Sequence, residues 1–120
     1  MEIVKGVIDL EVLNRLAEGN PGLVRHMIEI FIRENPKEIY KLEQALKDSD
    51  YRNIEFVAHK MKSSISYSGF DIELRNMLTE MEVTAKELKP LEKTRNDFSK
   101  LKTICTIGVN ELTAVKDRFE

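Results

Sequence analysis

The sequence has few of the residues that restrain a chain by themselves. Its 120 residues include one cysteine, three prolines and five glycines. A single cysteine excludes an intramolecular disulfide framework and fits a reducing compartment. No apolar run approaches the roughly 20 residues that span a bilayer, and the opening MEIVKGVIDL lacks a cleavable-signal pattern. We therefore expect one soluble, cytoplasmic domain over residues 1–120.

An excess of charge of one sign is also missing. The 19 basic and 21 acidic residues give a net charge of −2, which is not the signature of a nucleic-acid binder. A glycine-rich phosphate loop and a lysine–aspartate set suited to nucleotide and magnesium are absent. Glu55 and His59 stand four residues apart but have no second matching pair, so a metal-binding bundle is not indicated. We expect no cofactor, no metal and no nucleic-acid or membrane partner.

Helical spacing of apolar residues dominates the first half of the chain. Asp9 is predicted to cap a short helix that stops at Gly19. Asn20 then reads as an N-cap with Pro21 at the first helical position. Pro36 interrupts the following apolar pattern, which resumes after it. The pattern predicts either one long helix kinked near Asn35–Pro36 or two helices end to end.

Three more helices are predicted in the second half. One is capped by Asp50 and ends at Gly69. The next is capped by Asp71 and carries one apolar face: Leu74, Met77, Leu78, Met81, Ala85 and Leu88. Pro90 opens the last helix, in which apolar residues recur every seven positions: Leu91, Phe98, Cys105, Leu112 and Phe119. That repeat suits the seam of a helix bundle, so Cys105 is expected to be buried and Gly108 to permit close packing. The fold class is all-α, an antiparallel four-helix bundle with an additional short N-terminal helix.

The predicted helix from Asp50 to Gly69 carries a histidine on its polar side. Its apolar stripe consists of Ile54, Val57, Ala58, Met61 and Ile65. His59 projects about 150° from the centre of that stripe at about 100° per residue, so it faces outward. Its neighbours on the same face are Glu55, Phe56, Lys62, Ser63 and Ser66. One interpretation is an ordinary solvated face that happens to contain a histidine.

Three features of this face favour a functional site instead. Ser63 and Ser66 are small, so a bulky partner can approach the imidazole. Lys62 lies one turn away, where its ammonium can reach an anion on the ring. Phe56 is a large apolar side chain on the same face and a plausible docking contact.

The stretch His59-Lys60-Met61-Lys62-Ser63-Ser64, followed by Gly69, resembles the signature of histidine-containing phosphotransfer (HPt) domains. In that family an apolar residue, a lysine and a small residue follow the histidine at positions +2, +3 and +4. Serine or alanine at +5 and a helix-ending glycine at +10 complete the pattern. The segment NPGLVRHMIEIFIRENPKEIYKLEQAL also looks like the family's preceding helices. Ser63 departs from the pattern, because the family usually has glycine there.

The resemblance implies a function. His59 would accept a phosphoryl group from the phosphoaspartate of a response-regulator receiver domain and pass it to another receiver. Lys62 would neutralise part of the phosphoryl charge, and the protein would be a carrier without its own ATP site. Glu55 either fixes the tautomer of the ring or is an ordinary surface carboxylate, which is the preferred interpretation. Lys60 points away from His59 and is solubilising or touches the rim of a docked partner.

Several alternatives stay open at this point. His26 is the other candidate acceptor, but Glu29 and Ile30 are poor neighbours for an incoming phosphoryl group. A second class of function is a helical adaptor that binds receivers or other proteins without being phosphorylated. The sequence fits both a free-standing protein and one domain of a hybrid sensor kinase. It does not identify the kinase, the receivers or the direction of phosphoryl flow. A monomer is expected, because the apolar faces can all be used inside one bundle.

Overall fold

The computed structural model describes residues 8–66, 70 and 72–119. It contains five α-helices: α1 (Leu10–Leu16), α2 (Pro21–Lys47), α3 (Tyr51–Ser66), α4 (Ile72–Lys86) and α5 (Glu92–Val115), and a 3₁₀ turn follows at Lys116–Arg118. Within the described residues there is no strand, only an isolated antiparallel bridge between Ile8 and Phe70. The predicted all-α fold class is confirmed.

Side-chain caps fix where the first three helices begin. Asp9 accepts a hydrogen bond from the Glu11 backbone N–H, and Asn20 accepts one from the Leu23 N–H. The Asp50 carboxylate accepts one from the Asn53 N–H at 3.2 Å. Each cap satisfies a donor that the first helical turn leaves without a partner. The three predicted caps are therefore confirmed.

The long helix α2 continues through its proline. Pro36 lies inside Pro21–Lys47, so the structure has one helix here rather than two end to end. Asn35 and Glu38 flank Pro36 and are nearly fully buried, with 2% and 5% of their surface exposed. This middle section of α2 therefore places polar side chains inside the core.

Helices α2 to α5 pack around one hydrophobic core in a closed order. Helix α2 contacts α3, α3 contacts α4, α4 contacts α5, and α5 returns to α2, while α1 packs on α2. Tyr51 Oη, at the start of α3, donates to the Lys89 backbone oxygen at 2.9 Å, which ties one end of α3 to the segment after α4. None of the helices in the described ranges is long and apolar enough to cross a membrane.

The last helix packs as its repeat predicts, with differences at both ends. Leu91, Phe98, Cys105 and Leu112 are buried. The helix begins at Glu92 rather than Pro90 and ends at Val115, so Phe119 lies outside it and is only partly buried.

The last residue of the predicted apolar face of α4 lies beyond the end of the helix. That face included Leu88, but α4 ends at Lys86, and Leu88 has a positive φ of 54° and is 70% exposed. Because the chain has left the helix there, helical spacing no longer decides where Leu88 points. The predicted helix end at Gly69 and the predicted cap Asp71 lie outside the described residues.

Gly108 lets another part of the chain approach α5 closely. A Cβ at this position would lie 2.7 Å from Phe70 Cε1 and 3.3 Å from Ile8 Cδ1. The close packing expected there is confirmed. Glycine inside a helix costs about 1 kcal/mol relative to alanine, and the contact with Phe70 explains why that cost is tolerated.

Candidate functional site

The two faces of α3 differ as the projection predicts. Its five apolar residues are all buried: Ile54, Val57, Ala58, Met61 and Ile65. His59 lies on the outer face, and 67% of its side-chain surface is exposed. The burial of Ala58 and Met61 fixes the rotation of the helix, and that rotation directs His59 outward.

A carboxylate from the neighbouring helix α4 holds one nitrogen of this ring. His59 Nδ1 lies 2.9 Å from Glu82 Oε2. The other carboxylate oxygen, Oε1, forms an ion pair with Lys62 Nζ at 2.9 Å. We call these three side chains the His59–Glu82–Lys62 cluster. Lys62 and Glu82 expose only 22% and 20% of their side-chain surface, so both are largely packed against the protein.

The charge state of Glu82 decides which nitrogen carries the proton. Partial burial acts to raise the pKa of Glu82, but Lys62 and then His59 outweigh it and lower the pKa below its usual value. An ionised carboxylate only accepts hydrogen bonds, so Nδ1 of His59 must donate. In the neutral ring, Nε2 then carries the lone pair. No described residue forms a hydrogen bond to Nε2.

The arrangement therefore provides an exposed nucleophile whose tautomer is fixed from the other side. A ring with Nδ1 held and Nε2 free can attack an electrophile that approaches from solvent. Within the described residues, no group of three or more His, Cys, Asp or Glu side chains is placed to hold a metal ion.

The other side chains predicted for this face surround His59 as follows. Phe56 is 66% exposed, and Lys60, Ser63 and Ser66 are exposed as well. Ser66 Oγ donates to the Lys62 backbone oxygen at 2.8 Å, so its hydroxyl is engaged with its own helix. The face next to the ring therefore combines one aromatic side chain with small and cationic ones.

Glu82 is the residue of the cluster that the sequence analysis missed. The sequence offered Glu55 as the carboxylate that could fix the tautomer of the ring. In the structure Glu55 is partly buried, and Glu82 is the carboxylate that contacts Nδ1. Glu82 follows Leu78 by one helical turn, at the edge of the apolar face of α4. That position is a weak signal that the side chain borders a neighbouring helix, but it does not say which residue it meets.

His26 lacks such surroundings. It is exposed on α2, but no carboxylate from the described residues contacts its ring. The structure thus distinguishes the two histidines by their partners rather than by their exposure.

The family model described as Hpt domain matches residues 26–106. The chain belongs to the Hpt domain family. The resemblance seen in the sequence is confirmed, and membership of this family supports histidine phosphotransfer in two-component signalling.

A solved structure shares the fold of this Hpt domain. The HPT domain from the Hpt sensor hybrid histidine kinase from Shewanella is 18% identical and superposes with a TM-score of 0.81. The alignment covers 93% of this chain and 95% of the other. At that identity the likeness shows the fold alone. No curated protein matches the chain.

Proposed function

We propose that this Hpt domain accepts a phosphoryl group on His59 from the phosphoaspartate of a response-regulator receiver domain. It then passes the group to an aspartate of another receiver in a multistep phosphorelay. The observation that carries the proposal is the exposed ring whose Nδ1 is held by Glu82, which leaves Nε2 as the nucleophile. Membership of the Hpt family supports the class of partner.

In the proposed transfer, Nε2 supplies its lone pair to phosphorus. The Nε2–P bond forms while the bond between phosphorus and the aspartyl oxygen breaks, and the aspartate leaves as a carboxylate. The receiver provides the groups that stabilise the transferring phosphoryl, and this chain provides a positioned acceptor. The domain is therefore a carrier rather than an enzyme with its own ATP site.

Lys62 is proposed to stabilise the phosphoryl group once it is bound. Lys62 follows His59 by one helical turn, so its ammonium can reach an anion on the ring, and in the structure it pairs with Glu82 Oε1. A partly exposed ion pair contributes about 0.2–1 kcal/mol. Lys62 should therefore adjust the transfer rather than decide it.

The receiver is proposed to dock on the outer face of α3 around His59. The docking surface consists of Glu55, Phe56, Lys60, Ser63 and Ser66. Phe56 and Tyr40 are 66% and 63% exposed and border a surface cavity of about 410 Å³ between α2 and α3. Large exposed aromatic side chains are common anchors at protein interfaces. The hydroxymethyl group of Ser63 lies within this surface, where the family usually has glycine, and would restrict which receivers fit.

The proposal also includes the finer architecture. The closed packing order of α2, α3, α4 and α5 supports an antiparallel four-helix bundle with α1 as an additional short helix. The buried apolar residues of the described ranges form one core cluster, which supports a monomer.

The experiment that tests this function uses a phosphorylated receiver domain as the donor. The parent chain should acquire an acid-labile, base-stable label, His59→Gln should acquire none, and His26→Gln should be labelled like the parent. Circular dichroism should show the same helicity in all three. Retention of label by His59→Gln would contradict the assignment. Binding of the receiver by the parent without any label would instead identify an adaptor.

A further inference from the structure

The His59–Glu82–Lys62 cluster places a negative charge at the ring nitrogen that does not react. Glu82 Oε2 lies 2.9 Å from Nδ1, and Glu82 Oε1 is shielded from solvent against Lys62. The carboxylate is therefore anchored at two points and cannot swing away from the ring without breaking its ion pair. Its role in the phosphorylated state follows from the chemistry of the transfer, so this inference rests on the proposed function.

The charge of the ring changes during the reaction. When the lone pair of Nε2 forms the bond to phosphorus, Nδ1 keeps its proton and the ring becomes a cationic phosphoimidazolium. In the onward step, an aspartate oxygen of the second receiver attacks phosphorus and the Nε2–P bond breaks. Its electron pair returns to Nε2, and neutral imidazole leaves with the proton still on Nδ1. If that proton were lost first, the leaving group would be imidazolate, which is far more basic and leaves far more slowly.

We propose that Glu82 is a positioning residue that keeps the proton on Nδ1 after His59 is phosphorylated, and so keeps the phosphoryl group transferable. An anion in hydrogen-bond contact with a cationic N–H favours the protonated ring. Lys62 acts in the opposite direction, because its ammonium neutralises part of the Glu82 charge while it also attracts the phosphoryl oxygens. Glu82 and Lys62 together thus set how long the carrier stays loaded and how readily it unloads.

The other charged side chains near the ring come from three helices. Besides Lys62 of the cluster, Glu55 lies one turn before His59 on α3, and Lys86 lies one turn beyond Glu82 on α4. Neither Glu55 nor Lys86 is shown in contact with Nδ1.

Helix α2 brings Glu38 and Lys41 to the other side of α3. There, Glu38 interacts electrostatically with Lys60 and Lys41 and accepts a hydrogen bond from Ser64. Among the described residues, Glu82 is thus the carboxylate that directly contacts Nδ1.

The test measures the protonation of the phosphorylated ring directly. All variants carry His26→Gln, so that potassium phosphoramidate loads only His59, with ammonia as the leaving group. The ³¹P NMR shift of the phosphohistidine is followed from pH 5 to pH 9. Glu82→Gln preserves the size of the side chain and a hydrogen-bond acceptor, and it should lower the midpoint of ring deprotonation by about 0.5–1 pH unit. Lys62→Gln should raise the midpoint.

A second glutamate of α4 provides the matched control. Glu80 is 63% exposed and pairs with Lys93 at 3.2 Å, so Glu80→Gln should leave the midpoint unchanged. Onward transfer to an unphosphorylated receiver should slow several-fold at pH 8 in Glu82→Gln and should recover at pH 6, where the ring is protonated without help.

Two results would overturn the inference while leaving the proposed function intact. One is an equal or higher midpoint in Glu82→Gln than in the parent. The other is a loss of onward transfer in Glu82→Gln that lower pH does not restore. Failure of the proposed function looks different, because the parent chain would then take no label from a phosphorylated receiver.

Discussion

Helix α3 lies between two glutamates whose pKa values are shifted in opposite directions. On the α4 side, Glu82 contacts His59 and Lys62, and its pKa is lowered despite partial burial. On the α2 side, Glu38 is 5% exposed and accepts a hydrogen bond from Ser64 at 3.2 Å, and burial raises its pKa. The comparison shows that burial alone does not decide the charge of a carboxyl group. A directly contacting cation keeps Glu82 ionised, whereas a hydroxyl does not compensate for the burial of Glu38.

The largest expected effect is a difference in phosphoryl acceptance between variants on the two sides of α3. Ser64→Ala changes the α2 side and should leave phosphoryl acceptance from a phosphorylated receiver within about twofold of the parent, since the hydroxyl it removes lies within reach of Glu38 and of the α3 backbone. His59→Gln changes the α4 side and should abolish acceptance. Label transfer measured on both variants at equal concentration checks the contrast. Complete loss of label in a folded Ser64→Ala variant would show that the α2 side takes part in the chemistry.

The second prediction concerns the stability cost of Glu38. Because burial raises its pKa, the folded protein holds this proton more tightly than the unfolded chain does. The resulting stabilisation is present at low pH and is lost as the pH rises above the ordinary value of 4.5. Glu38→Gln should therefore raise the free energy of unfolding at pH 7 by about 1 kcal/mol, and the gain should vanish in acid. Urea unfolding at pH 7 and pH 4 measures both values, and a less stable variant at pH 7 would contradict the prediction.

Glu82→Gln should change the free energy of unfolding in the opposite direction. Because the pKa of Glu82 is lowered in the fold, its contribution is present above the unfolded value of 4.5 and is lost as the pH falls below it. The substitution should lower the free energy of unfolding at pH 7 by about 0.2–1 kcal/mol, the range for partly exposed pairs. The same urea series tests it. A gain in stability like that of Glu38→Gln would remove the distinction between the two glutamates.

The smallest expected effect is that of Lys62→Ala on transfer. The acceptor nitrogen remains, but the cation near the phosphoryl group is lost, so the rate of labelling should fall by about two- to fivefold. Rapid-quench measurement of phosphotransfer from a receiver checks this. Lys102→Ala serves as the control, because Lys102 lies on α5, pairs with Glu43 and belongs to neither the cluster nor the docking surface. Complete loss of labelling in a folded Lys62→Ala variant would mean that Lys62 is essential rather than supportive.

Much of the fold could be predicted because its signals are local. The cap at Asn20 depends on one side chain and the backbone three residues later, and the buried face of α3 depends on a spacing of about 100° per residue. Apolar spacing alone does not decide where a helix ends. Leu88 fits the apolar spacing of α4, but the helix stops at Lys86.

The candidate site was predictable only in part. The sequence indicated His59 and Lys62, because both lie on one helix and carry the resemblance to the family. It did not indicate Glu82, which is 23 residues away and belongs to another helix. Nor did it separate Glu82 from Glu38, since in the sequence both are glutamates within amphipathic helices.

The sequence by itself determined which side of each helix is apolar, where the first three helices begin, and that His59 points away from the core. These properties follow from the fixed rotation per residue and from bonds between near neighbours in the chain. Only the tertiary structure decided that Glu82 meets both His59 and Lys62, and that Glu38 is enclosed between α2 and α3. The physical reason is that contacts between helices depend on how their ridges and grooves fit together throughout the core, which no single segment specifies.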